Sequence, residues 1–126
     1  METVNATIEN QIKEALKIFE KKREYFHETR HGKISLSEGC EYLKKTINAG
    51  WIFDQIVKFQ TMPEMKNYKV QVWTWEQTKL RRIWRLNAST GNKQTLHAEF
   101  YSYVQFPLRS IQLWYLRGHL CLASEL

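Results

Sequence analysis

The pentapeptide HETRH at residues 27–31 carries the residue types of a catalytic zinc site. It matches the pattern H-E-x-x-H, in which two histidines one helical turn apart bind zinc and the glutamate activates a water molecule. On a helix, His27 and His31 would share one face. Arg30 and Lys33 bring charge to a segment that is normally packed in the core of zinc hydrolases. We therefore interpret the motif as a solvated helix end and predict no metal ligand and no cofactor. A zinc-dependent hydrolase stays as an alternative.

The rest of the sequence does not predict a catalytic centre either. Cys40 lies on the apolar stripe of a predicted helix, where a buried and unreactive thiol is the common case. His97 and Glu99 fall on one face of a predicted strand and could form an acid–base pair, but exposed polar residues on a sheet are the commoner arrangement. The chain is therefore predicted not to be an enzyme.

A basic and aromatic segment, KLRRIWRL at residues 79–86, is the strongest functional signal. If it is a strand, Lys79, Arg81 and Arg85 lie on one face. The aromatic residues that would accompany this face in neighbouring strands are Trp73, Trp75, Tyr101 and Tyr103. Cations that meet phosphates beside aromatic rings that stack on bases are typical of proteins that bind single-stranded nucleic acid. The turn between the strands leaves open which face is buried, and basic residues also guard exposed strands.

The distribution of charge supports an anionic partner. The net charge is +6, and residues 1–65 hold ten basic and ten acidic residues, so the excess comes from the second half. Residues 66–126 hold nine basic residues against three acidic ones. Such asymmetry indicates a partner of opposite charge, either nucleic acid or an acidic protein surface.

The hydrophobic pattern predicts an α+β fold in which a single domain spans residues 1–126. Apolar residues recur every three to four positions up to about residue 60, interrupted by Asn48-Ala49-Gly50, and this period predicts helices. Ser35 and Glu38 have the spacing of a capping box at the start of one of them. After residue 66 the period becomes two, and Arg117-Gly118 has the length of a tight hairpin turn. We expect the N-terminal helices to pack on one face of an antiparallel meander of about five strands.

The same sequence predicts a cytoplasmic protein. Its N-terminus has no apolar segment of the kind found in signal peptides, and no apolar run approaches the ~20 residues of a membrane helix. Cys40 and Cys121 lie far apart among apolar neighbours, which favours a reducing compartment.

Several short motifs resemble those of a family of small bacterial and phage proteins that is catalogued as a domain of unknown function. The resemblance covers roughly residues 25–126 and rests on an EG-x-x-YL motif, a W-x-x-D-x-I motif and an L-x-PSE-like tail. The matching residues are Glu38, Gly39, Tyr42, Leu43, Trp51, Asp54 and Ile56. The tail departs from the pattern, since Ala123 stands where the family has proline and Leu126 where it has an aromatic residue. The resemblance implies one compact domain and implies no activity.

Together these features predict a small basic binding module without catalysis. Its partner is expected to be nucleic acid or an acidic protein, contacted by Lys79, Arg81 and Arg85 with the four aromatic residues named above. A homo-oligomeric structural or interaction protein that uses exposed aromatic residues as its interface is a further alternative.

Overall fold

The structure, a computed structural model, describes residues 5–17, 24–102 and 106–126. In these ranges the chain forms four α-helices, a short 3-10 helix at Ala123–Glu125 and seven strands. The helices are α1 (Ala6–Leu16), α2 (Glu38–Ile47), α3 (Gly50–Phe59) and α4 (Pro63–Lys66). The strands are β1 (Tyr25–Thr29), β2 (Gly32–Leu36), β3 (Val70–Gln77), β4 (Ile83–Ser89), β5 (Thr95–Ser102), β6 (Ser110–Leu116) and β7 (His119–Leu122). The predicted α+β class is confirmed.

The seven strands form one curled, mostly antiparallel sheet in the order β1-β2-β7-β6-β3-β4-β5. The prediction of about five strands was wrong, because residues 25–36 had been assigned to the helical half. They form a hairpin instead, in which Tyr25 pairs with Leu36 and His27 with Ile34. The arrangement is also not a simple meander. After β5 the chain returns to the far edge of β3, and β2 joins β7 in parallel.

The helix boundaries follow from local chemistry. Ser37, rather than the predicted Ser35, is the N-cap of α2, and its hydroxyl accepts a hydrogen bond from the Cys40 backbone N–H at 3.2 Å. Asn48 ends α2 in the left-handed conformation at φ 56°, which is tolerated by asparagine. Gly50 then begins α3, so the predicted interruption at residues 48–50 is confirmed.

The core lies between α3 and one face of the sheet, which we call the helix-facing side. Trp73, Trp75 and Trp84 point to this side and are completely buried. Phe59 stacks on Trp73 with ring centroids 5.7 Å apart, and Trp51 meets Trp75 edge-on at 4.9 Å. The opposite side, the outer face, carries Arg85 and Phe100, which are paired across β4 and β5.

Helix α1 is attached at the start of β6. The carboxylate of Glu9, which is buried, accepts a hydrogen bond from the Arg109 backbone N–H at 2.5 Å. Ile12 from the same helix joins the hydrophobic core. In the described part of the chain, no helix has both the length and the apolarity needed to cross a membrane.

Candidate functional site

The structure separates the residues that were predicted to form one basic and aromatic surface. Trp73 and Trp75 are fully buried beneath α3, so they cannot stack on bases in this fold. Their placement on a binding face was wrong, because the parity of β3 that contains them is the one that packs against Phe59 and Trp51.

The predicted ladder of Lys79, Arg81 and Arg85 is also not present. Lys79 and Arg81 lie in the loop between β3 and β4, and only Arg85 lies in a strand. The guanidinium of Arg85 forms an ion pair with the Glu76 carboxylate on the neighbouring strand, which neutralises its charge. The loop itself is held by Gln77, whose side-chain amide donates to the Arg81 carbonyl at 2.8 Å.

Tyr101 lies at the edge of the core rather than on an open surface. Its ring contacts Trp51 and Trp75 with centroids 5.8 and 5.6 Å apart. Burial, together with the nearby Glu99 carboxylate, raises the pKa of Tyr101. Tyr103, the last residue of the predicted surface, lies outside the described residues.

The HETRH segment does not have the geometry of a zinc site. It crosses the turn of the β1–β2 hairpin, so His27 is buried on β1 while His31 is exposed in the turn. Nε2 of His27 lies 2.6 Å from Oδ1 of Asp54, which ties the hairpin to α3. Within residues 5–17, 24–102 and 106–126, no group of three or more His, Cys, Asp or Glu side chains could hold a metal ion. The interpretation as a helix end was therefore wrong, and the helical arrangement required by the hydrolase alternative is missing.

Three other groups of potentially reactive side chains lie outside the HETRH turn. Cys40 is completely buried, as predicted, and burial raises the pKa of its thiol far above its ordinary value. His97 and Glu99, for which separate exposed polar residues were the favoured prediction, lie in contact, with Nε2 and Oε1 3.0 Å apart. Ser35 Oγ lies 2.6 Å from Nδ1 of His119, as a nucleophile and its base would.

The Ser35–His119 pair nevertheless differs from a catalytic triad. Glu24 approaches the same ring nitrogen, Nδ1, at 3.7 Å. In a triad the carboxylate orients the imidazole through the nitrogen that the nucleophile does not use. The arrangement therefore lacks the geometry in which a carboxylate assists proton transfer.

A basic cleft that was not predicted lies at the end of the sheet where β3 begins. The cleft has a volume of about 450 Å³ and is open to solvent. Its described lining residues are Gln60, Met65, Lys66, Tyr68, Lys69, Tyr115, Arg117 and Gly118, and none of them is acidic. Three cations therefore surround one concavity whose described lining contains no carboxylate.

The fold positions Arg117 by an unusual turn. Arg117 and Gly118 join β6 to β7 and both have positive φ, at 48° and 89°. This is the conformation of a type I′ hairpin turn, which favours Asn or Gly at its first position. The Arg117 backbone N–H donates to the Lys69 carbonyl at 2.8 Å, and the Gly118 carbonyl accepts from the Ser35 N–H at 2.9 Å. The turn is thus fixed against β2 and the segment before β3.

A buried glutamine supports the floor of the cleft. Gln71 is completely buried, and its side-chain nitrogen donates to the Tyr68 carbonyl at 2.9 Å and to Gln60 Oε1 at 2.8 Å. Its side-chain oxygen accepts from the Gln60 amide at 2.8 Å and from Nε1 of Trp73 at 2.9 Å. Because these bonds join α3, the start of β3 and the segment between them, the walls of the cleft are held in a defined relation.

Tyr115 contributes a neutral hydrogen-bond donor to the cleft. Burial raises the pKa of Tyr115, an effect that a backbone hydrogen bond with Gly118 partly offsets. The phenol therefore stays protonated at neutral pH. A protonated hydroxyl can donate to an anion that the neighbouring cations attract.

Sequence reasoning missed this cleft because its cations are distant along the chain. Lys66 and Lys69 precede β3, whereas Arg117 lies in the last hairpin turn. The available signal was Arg117-Gly118, which was correctly predicted as a tight turn. An arginine at a position that favours Asn or Gly is a reason to look for a role in binding.

Two of the motifs that carried the family resemblance, EG-x-x-YL and the tail, meet in a structural contact outside the cleft. The Glu125 carboxylate is buried and accepts hydrogen bonds from Ser37 Oγ at 2.5 Å, Gly39 N at 3.0 Å and Leu122 N at 2.9 Å. A Cβ atom on Gly39 would lie 2.4 Å from Leu122 Cδ1 and 2.8 Å from Glu125 Oε1. The glycine of EG-x-x-YL and the glutamate of the tail therefore fit each other at the N-terminus of α2.

Comparison with known proteins gives a match at the level of the family. No curated protein and no solved structure matches the chain. The model of a family of unknown function, DUF6876, matches residues 10–126, a range that includes the basic cleft and the contact between Gly39 and Glu125. The chain therefore belongs to this family of unknown function.

Proposed function

We propose that this chain is a non-catalytic binding protein that takes the backbone of single-stranded nucleic acid in the basic cleft. The observation that carries the proposal is the convergence of Lys66, Lys69 and Arg117 on one concavity whose described lining contains no acid. Ammonium and guanidinium groups without a carboxylate partner attract phosphates, and the release of condensed counterions contributes to binding.

The aromatic residues of the cleft favour a single strand over a duplex. Tyr68 and Tyr115 are both partly exposed, so they are accessible to a base that leaves its stack. Stacking of a base on an aromatic side chain contributes about 1–3 kcal/mol, and it does not depend strongly on sequence.

The loop between β3 and β4 is a second basic surface. Lys79, Arg81 and Arg82 are exposed there, and Leu80 between them is 73% exposed. The loop contains Lys79 and Arg81 of the surface that was predicted from the sequence. A basic protrusion with an exposed leucine is also suited to bind an acidic protein surface. None of the concavities formed by the described residues is lined by this loop, so we assign it second place.

The test is fluorescence anisotropy with labelled single-stranded DNA, single-stranded RNA and duplex DNA, each across a series of salt concentrations. Tryptophan fluorescence is less suitable, because Trp73, Trp75 and Trp84 are completely buried and cannot contact the ligand directly. Three phosphate contacts predict a slope of about −2 for log K against log salt with a single strand. Absence of binding at low salt would overturn the proposal.

Charge-matched variants locate the site. Lys66→Gln/Lys69→Gln should weaken single-strand binding roughly tenfold and make the salt slope shallower, since two phosphate contacts are lost. Lys44→Gln/Lys45→Gln on α2 removes the same charge elsewhere and should leave the slope unchanged. If Lys79→Gln/Arg81→Gln weakens binding and the cleft variant does not, the loop is the site and the cleft proposal fails.

A further inference from the structure

Strand β5 ends the sheet, and its free edge has the features of a surface that pairs with another strand. Among the described residues β5 pairs only with β4. Edge strands are usually protected by lysine, proline or a charged residue that discourages pairing with other molecules. Thr95–Ser102 contains no lysine, arginine or proline, and its one acid, Glu99, contacts His97 of the same strand.

The outer face of β5 also exposes a large apolar side chain. Phe100 is 62% exposed. At the opposite edge of the sheet Phe26 is similarly exposed at 58%, but the ammonium of Lys33 lies over its ring at 4.9 Å. The exposed aromatic ring at the β1 edge is therefore covered by a cation, whereas among the described residues no such contact is found for Phe100 at the β5 edge.

The sequence of β5 is complementary to itself in the antiparallel direction. The ladder of β5 with β4 is irregular at Leu96, which packs against the core, and is regular from His97 onward. If two copies pair about a two-fold axis at Ala98, His97 of each copy faces Glu99 of the other, and Phe100 lies diagonally across from Ala98. Pairing with β4 places His97 and Glu99 opposite Ala88 and Leu86, which face the helix side. Phe100 lies on the outer face opposite Arg85. Each cross-strand pair thus joins residues of one face, as the alternation of a sheet requires.

We propose that β5 is the interface through which a second copy of this chain adds antiparallel to the sheet. The register is centred on Ala98 and contains two His97–Glu99 pairs and two diagonal contacts between Phe100 and Ala98. Backbone hydrogen bonds along the edge provide attraction, and the side-chain pairs select this register over its neighbours, because a shift by two residues would separate each histidine from its carboxylate. No described lining residue of the basic cleft lies on β5, so the inference is independent of the proposed function.

The test is the concentration dependence of the mass of the full chain, measured by sedimentation velocity. The wild type should change from monomer to dimer as the concentration rises. Phe100→Ser should weaken the dimer by roughly tenfold or more, because the apolar contact of each Phe100 across the interface is lost and the substitution does not touch the core. Phe26→Ser, the same change at the other edge, is the matched control and should leave the mass unchanged.

A charge exchange tests the register. His97→Glu places a carboxylate opposite Glu99 of the second copy twice per dimer and should weaken association by roughly tenfold or more. His97→Glu/Glu99→His restores opposite charges in the same register and should recover dimerisation. Circular dichroism on each variant separates loss of dimer from loss of fold. A wild type that stays monomeric at all concentrations, or a dimer that Phe100→Ser and His97→Glu leave unchanged, would overturn the proposal.

Discussion

At the scale of single residues, Gln71 is the group on which the cleft depends most. Its amide is the common partner of Gln60, Trp73 and the Tyr68 carbonyl, all of them shielded from solvent to a large extent. A buried amide that satisfies several polar groups at once fixes their relative positions, whereas an apolar residue of the same size would leave them unpaired. This residue therefore connects the stability of the core to the shape of the proposed binding surface.

Gln71→Leu should lower the free energy of unfolding by about 3 kcal/mol, because the Trp73 indole N–H and the other partners lose their hydrogen bonds in the interior. Urea denaturation followed by circular dichroism measures this change. Gln112→Leu is the matched control: Gln112 is an exposed strand glutamine that also accepts from an indole N–H, that of Trp114 at 3.3 Å. We expect it to change stability by less than about 0.5 kcal/mol. Similar losses for both variants would contradict the role of burial.

At the scale of elements, the β6–β7 turn combines strain with charge. A side chain with a Cβ in the left-handed region costs roughly 1 kcal/mol, a cost that is smaller for asparagine because its short polar side chain bonds locally. Arg117 occupies this position at φ 48° and lines the cleft. Arginine is therefore unfavourable for the backbone conformation of this turn, but it provides a positive charge for the proposed binding cleft.

Arg117→Asn should raise the free energy of unfolding by about 0.5 kcal/mol while it weakens binding to single strands. Urea denaturation and anisotropy on the same preparation measure the two effects. Arg82→Asn, in the exposed β3–β4 loop, removes an equal charge and should leave stability unchanged within about 0.5 kcal/mol. A variant at Arg117 that loses both stability and binding would show that the turn contributes structure rather than recognition.

At the scale of the whole molecule, the β1–β2 hairpin is joined to the rest of the sheet by a short ladder. The ladder consists of two residue pairs, Ser35 with His119 and Leu36 with Leu120. Leu36 is buried in the core, and His27 contacts Asp54 of α3. Among the described residues β1 pairs only with β2, and a strand at the edge of a sheet opens more easily than the central strands.

Asp54→Ala should therefore speed amide hydrogen exchange in residues 25–36 by roughly tenfold and leave exchange in β3 and β4 unchanged. The reason is that buried His27 loses its carboxylate partner while Trp73 and Trp75 keep their packing. Gln55→Ala, the next residue on α3, is the control. Faster exchange throughout the sheet would instead indicate that Asp54 supports global stability.

The sequence predicted those parts of the fold whose signals are local. The period of three to four residues located α2 and α3, the alternation after residue 66 located strands, and Arg117-Gly118 located a turn. The hairpin at residues 25–36 was missed because its strands are five residues each and the H-E-x-x-H pattern competed for the same segment. The buried face of β3 was undetermined because Val72 on one parity and Trp73 on the other are both apolar.

The candidate site was beyond sequence reasoning for a different reason. Its residues come from the end of α3, the start of β3 and the last hairpin, and only the order of strands in the sheet brings them together. The contact between Gly39 and Glu125 is similar, since it joins residues 86 positions apart. Local patterns do not encode such distances.

The parallel contact between β2 and β7 also affects the kinetics of folding and unfolding. The hairpins β3–β4 and β4–β5 close short loops, whereas β2 can join β7 only after about eighty intervening residues have been arranged. Loop closure of that length is slow, so the docking of the first hairpin on β7 and the Glu125 contact should form late in folding, after the transition state. Their interactions would then act mainly on the rate of unfolding and little on the rate of folding. The lifetime of the folded state is thus set in large part by the β1–β2 hairpin, at the opposite end of the sheet from β5.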